Sequence, residues 1–125
     1  MNKSKLFAAI IIIGTAILSH NVLAGSGYVS GVRLQSIGVV GPGFPDANHK
    51  AGNMEISIAG GFTLPAGVSC DRNYITTLKA SDPDGAMRSL LYEAYRLRKA
   101  VTLTITDSIT YNAYPGRCSL VAVWM

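Results

Sequence analysis

Apolar and polar residues change period several times along this chain, and each change marks an element. Leu6 to Leu18 is apolar except for Gly14 and Thr15, follows Lys3 and Lys5, and gives way to Ser19-His20-Asn21 and then Val22-Leu23-Ala24. A positive start, an apolar run shorter than the roughly 20 residues a bilayer crossing needs, and a small-residue end are the parts of a secretory signal peptide. The expectation is a signal peptide over residues 1–24, cut between Ala24 and Gly25, leaving no stable membrane anchor. Residues 25–125 then form a single domain of about 100 residues.

Within that domain Val32, Leu34 and then Ile37 recur with a phase change near Gln35-Ser36, which predicts one long first strand from Tyr28 to Val40, bent at a bulge. Gly41-Pro42-Gly43-Phe44-Pro45 cannot continue it and starts a loop. Met54, Ile56 and Ile58 alternate with Glu55 and Ser57, a strand with one buried face. Asn73 to Leu78, rich in β-branched and aromatic residues, gives a third strand. Ser81 can then cap a helix, with Asp84 as the capping-box acid, and Ala86, Met87, Leu90, Leu91, Ala94 and Leu97 gather on one face. The cations Arg96, Arg98 and Lys99 suit the helix C-terminus. Val101, Leu103 and Ile105 form a fourth strand, and Cys118, Leu120, Ala122 and Trp124 alternate on a fifth.

This order predicts a mainly β fold with one helix (α+β): a five-stranded OB-like barrel with its helix between strands 3 and 4. A half-open α+β sandwich fits the same order. Composition narrows the function classes. The formal net charge of +4 drops by two once Lys3 and Lys5 are removed, too little for a nucleic-acid partner to be read from charge. Both cysteines, Cys70 and Cys118, lie in the exported part, and an even pair in an oxidising compartment reads as one disulfide. A redox role lacks Cys-x-x-Cys spacing. With His49 as the one histidine left, a metal site lacks ligands, and no cofactor motif occurs.

A longer pattern runs through the C-terminal half: Cys70, then Leu90-Leu91-Tyr92-Glu93-Ala94-Tyr95-Arg96-Leu97-Arg98-Lys99, then Val101 to Thr106, then Cys118-Ser119-Leu120-Val121-Ala122-Val123. It resembles the B subunit of subtilase cytotoxin and small secreted single-disulfide relatives. The resemblance implies a homo-oligomeric ring of OB-fold protomers that binds cell-surface glycans and carries a separate catalytic A-type subunit. It assigns no glycan-binding residue, because the matched half is not where that family's sugar contacts lie.

Candidate binding residues come from the loops. Tyr111, Asn112, Tyr114 and Arg117 follow the fourth strand, and aromatic faces with Asn and Arg suit sugar rings and hydroxyls. Phe44, Asp46, Asn48 and His49 offer similar chemistry after the first strand. Arg88, Tyr92 and Arg96, spaced by one helical turn, form a stripe that would face a partner or the ring's pore. Each set has a plainer reading, as loop packing or as a solvated helix face. Asp82-Pro83-Asp84 reads as capping rather than acid–base chemistry, and no Gly-x-Ser-x-Gly elbow occurs. The expected protein is a periplasmic or secreted, non-enzymatic binding module. The alternative is an envelope interaction protein of the same fold with no toxin role.

Overall fold

The structure, a computed structural model, describes residues 24–125. The signal-peptide expectation falls, up to residue 23, outside the described residues. The first strand breaks in two: β1 (Ser26–Val32) and β2 (Leu34–Val39) are separated by Arg33 alone. They are followed by β3 (Met54–Ile58), β4 (Tyr74–Thr77), α1 (Ala86–Leu97), β5 (Val101–Thr106) and β6 (Cys118–Trp124). The strands form one mixed sheet in the order β1-β5-β6-β4-β3-β2. All neighbours are antiparallel except β4 and β6, which run parallel.

The class is therefore mainly β with one helix, as the alternation indicates, but the sheet has six strands rather than five and is not closed into a barrel. The extra strand has a local cause. Gly31 takes a positive φ of 66°, open to glycine at no steric cost, and the pairing with β5 slips between Val29 and Val32. A second slip, between Leu34 and Ser36 against β3, falls at the expected bulge. The bend sends β1 to β5 and β2 to β3, and it reverses the parity of the first half. Val29 is buried and Tyr28 points out.

A similar slip corrects the reading of the last strand. Thr104 faces Ala122 while Ile105 faces Leu120, so Val121 is the extra residue of a bulge. Cys118, Leu120 and Val123 are buried, whereas Ala122 and Trp124 fall outside the core, and the Trp124 indole donates to Thr104 Oγ1 at 3.0 Å.

The helix starts later than predicted. Ser81 belongs to a 3-10 turn over Lys79–Ser81, and the residue before α1 is Gly85, with φ 69° and no side-chain cap. Asp82 does the capping: its carboxylate accepts from the backbone N–H groups of Met87 and Arg88 at 3.1 and 3.0 Å. Its buried face is also narrower than the predicted arc. Leu91 and Ala94 are buried and Met87 packs against the core, while Ala86, Leu90 and Leu97 are exposed. At the other end Arg98 occupies the left-handed position, with Arg98 N–H on Tyr95 O and Lys99 N–H on Ala94 O, the paired bonds of a Schellman stop.

Ile56, Ile58, Ile75, Leu91, Leu103, Ile105 and Leu120 are the largest fully buried apolar side chains, each worth about 1.5–3 kcal/mol relative to exposure. The disulfide between Cys70 and Cys118 is formed, with Cα atoms 5.4 Å apart. It ties the loop ahead of β4 to the first residue of β6, and Asp71 N–H donates to Gly116 O alongside. Among the described residues no helix is long and apolar enough to cross a membrane.

Candidate functional site

Two of the predicted loops meet. The loop after β2 is pinched at its base by Val40 N–H to Asn53 O and Gly52 N–H to Val40 O. Inside it, Asp46 Oδ1 accepts from Asn48 N–H at 2.9 Å, while Asp46 Oδ2 accepts from the Tyr114 hydroxyl at 3.0 Å. The His49 ring lies 4.4 Å from the Tyr114 ring, and Phe44 meets His49 edge-on at 5.2 Å. Arg117 sits between the rings of Tyr114 and Tyr74, at 4.1 and 4.6 Å from their centroids, a cation on two aromatic faces. Its guanidinium pairs with Glu55, whose Oε2 is also 3.5 Å from His49 Nε2.

The electrostatics follow from these contacts. The Asn48 N–H and then the Tyr114 hydroxyl hold the Asp46 carboxyl below its usual range. The same bond, with the negative charge of Asp46 beside it, pushes the Tyr114 hydroxyl up. Each group stabilises its neighbour's native ionisation state.

Tyr114 and Arg117 thus join Phe44, Asp46 and His49 in one cluster, completed by Glu55 and Tyr74, which the sequence reading did not select. Asn48 contributes its backbone. Tyr111 and Asn112 stand apart: Tyr111 ends a 3-10 turn, its carbonyl accepts from Ser119 Oγ at 2.6 Å, and its side chain is exposed. The helix stripe also divides. Arg88 is half-buried with an unpartnered Nε, Tyr92 is exposed, and Arg96 pairs with Glu93 at 2.9 Å. Arg96 also lines a shallow cleft with Arg33, Arg98 and Tyr95.

A cleft of about 730 Å³ lies elsewhere, between β1, the Gly60–Pro65 loop and the Arg72–Asn73 segment. Its approach depends on glycine twice. A Cβ on Gly27 would stand 2.4 Å from the Pro65 side chain, and Gly61, at φ 72°, would meet Arg72 O at 3.0 Å. Phe62 N–H donates to Arg72 O, and Arg72 Nε donates back to Phe62 O at 3.1 Å, fixing the guanidinium at the wall. Its terminal nitrogens find no protein partner among the described residues. Tyr28, 66% exposed, presents a ring to the cleft, with Ser30, Thr63 and Asn73 as polar lining and Val32, Leu64 and Pro65 as apolar lining.

None of these cleft residues stands out in the sequence as a candidate site. Tyr28 has the parity of Val32 and so reads as inward until the Gly31 bend reverses it. The remaining walls come from two loops far apart in sequence. An aromatic residue just ahead of a predicted bend, and a Gly-Gly pair shortly before the first cysteine, are the signals that point there.

Comparison with protein-family models, with curated proteins and with solved structures finds no match for this chain.

Proposed function

We propose that this chain is an exported, non-enzymatic recognition module that binds glycans in the cleft beside Tyr28. The observation that carries the reading is the content of that cleft. It has an exposed tyrosine ring, an arginine anchored through Nε with its fork free, and hydroxyl and amide groups, all in one concavity of ligand size. Sugars ask for an apolar ring face to stack on and for planar donors and acceptors around their hydroxyls.

The titratable groups that lie together support binding over catalysis. Asp46, His49, Glu55, Tyr114 and Arg117 are engaged with one another, so within this cluster no base stands beside a free nucleophile. We extend the proposal to the fold: an OB-like strand order, in an open sheet, in which β1 and β2 are halves of one bent strand. Its support is that these halves occupy the two ends of the strand order, with a parallel β4–β6 pair between and the helix ahead of β5.

A glycan array probed with the chain from Gly25 to Met125 tests the function. The expected result is binding to a restricted set of glycans that disappears in Tyr28→Ala, with wild-type melting temperature, and in Arg72→Ala, which stays folded but melts lower for want of the Phe62 bond. A blank array from folded protein overturns the glycan reading and favours an envelope interaction protein of the same fold. Binding that survives both substitutions overturns the site.

A further inference from the structure

Gly25 is held on both sides of its backbone. Its nitrogen donates to Asp107 Oδ1 at 2.7 Å, and its carbonyl accepts from Thr106 Oγ1 at 2.9 Å and from Asp107 N–H at 3.1 Å. The other Asp107 oxygen accepts from Ser69 N–H at 2.9 Å, so the carboxylate is fixed in orientation from two sides. A Cβ on Gly25 would stand 2.0 Å from the carbonyl oxygen of Gly67. Only glycine fits this slot. Ala24, one residue earlier, is exposed.

One Asp107 oxygen is held by Ser69 and the other is aimed at the Gly25 nitrogen, at the residue that follows an Ala24 cleavage motif, so an anion already stands where cleavage would place a charged nitrogen. We propose that Gly25 is the first residue of the working protein and that Asp107 is the receptor for its α-ammonium. The inference rests on the export reading above and not on the glycan reading. A leader-removing protease of the export pathway hydrolyses the Ala24–Gly25 bond with one water. The C–N bond breaks, the hydroxyl goes to the Ala24 carbonyl carbon, and the acid proton passes on to the Gly25 nitrogen, leaving a carboxylate on the leader and an ammonium on Gly25. The contact to Asp107 Oδ1, charge-assisted so far only through its acceptor, gains an ionised donor and becomes an ion pair. Removing the leader therefore strengthens a tie that already joins the first strand to the end of β5.

The sign of the pH dependence follows. An ammonium beside a carboxylate keeps its proton to higher pH in the folded chain than in the unfolded one. Its contribution is therefore full below the ordinary α-amine range of about 7.7–8.0 and is lost as pH rises through the folded value.

Two measurements test this separately. N-terminal sequencing of protein recovered after export should read Gly25 first; any other first residue overturns the assignment of the cut. Independently of export, the chain beginning at Gly25 is compared with one carrying Asn21 to Ala24 ahead of it, each with and without Asp107→Asn. The Gly25 chain should melt higher near neutral pH, by about 4–8 °C for a domain of this size. That gap should close in the Asp107→Asn pair and at a pH well above the amine range. Equal melting temperatures, or a gap that survives Asp107→Asn, overturn the ion pair. Should Asp107→Asn fail to fold, the pH dependence of the gap between the two wild-type chains decides alone.

Discussion

The loop cluster around Arg117 and the cleft beside Tyr28 contain the same kinds of residue and use them in opposite ways. In the cluster, every charged group has found a partner: Arg117 with Glu55 and two rings, Asp46 with the Tyr114 hydroxyl, and Glu55 also beside His49. In the cleft, Arg72 spends one nitrogen on the Phe62 carbonyl, and the Tyr28 ring faces solvent. Side-chain type alone therefore does not locate a binding site. A satisfied network holds a loop in place, and an unsatisfied one in a concavity is available to a ligand. The disulfide lies between the two regions, since Cys70 leads into Arg72 and Asn73, and Cys118 follows Arg117.

The contrast can be broken at its joint or at either side. Replacing both cysteines with alanine should have the largest effect, a stability loss on the order of 4 kcal/mol from a closed loop of roughly 50 residues, read by urea unfolding under non-reducing conditions. A loss under 1 kcal/mol would mean that the two regions are held by packing alone. Next, Arg117→Ala removes an ion pair and two ring contacts and should cost about 2 kcal/mol, with glycan binding unchanged. Loss of binding at full stability would move the site to the cluster.

Tyr28→Ala should show the reverse, a stability change within about 0.5 kcal/mol, as for an exposed position, and at least about a tenfold loss of glycan affinity. Smallest is the acid response of Asp46. Its folded value lies below 3.8, so its stabilisation is complete above about pH 3.8 and fades as pH falls through the folded value. Acid titrations of wild type and Asp46→Asn should therefore converge at low pH and separate above it. Parallel curves would mean that the Tyr114 contact contributes nothing to stability.

Local pattern carried much of the architecture. Alternation at Met54–Ile58 and Val101–Ile105 was enough to place β3 and β5, and a chain with just two cysteines was enough to pair Cys70 with Cys118. What escaped was set by partners distant in sequence. Val121 is extra only relative to β5, so nothing near Trp124 announces that it turns outward. Ser81 has the chemistry of a cap, yet Asp82 reaches the free amides because the 3-10 turn delays the helix. Five residues of the cluster were legible as two separate sets, Phe44, Asp46 and His49 in one loop and Tyr114 and Arg117 in the other. That the two loops meet, and that Glu55 and Tyr74 join them, no periodicity encodes.

The outward turn of Trp124 also decides how this protein can be observed. It is the single tryptophan of the chain and is 56% exposed on the outer sheet face, bonded to Thr104, the residue that faces Tyr28 across β1 and β5. Its emission should already be that of a wet indole in the native state and should shift little on denaturation, which makes it a poor reporter of melting. Its indole rests on the one strand that separates it from β1, so it is placed to register occupation of the cleft beside Tyr28 through Thr104, and the one intrinsic fluorophore is better suited to titrating ligands than to following the loss of structure.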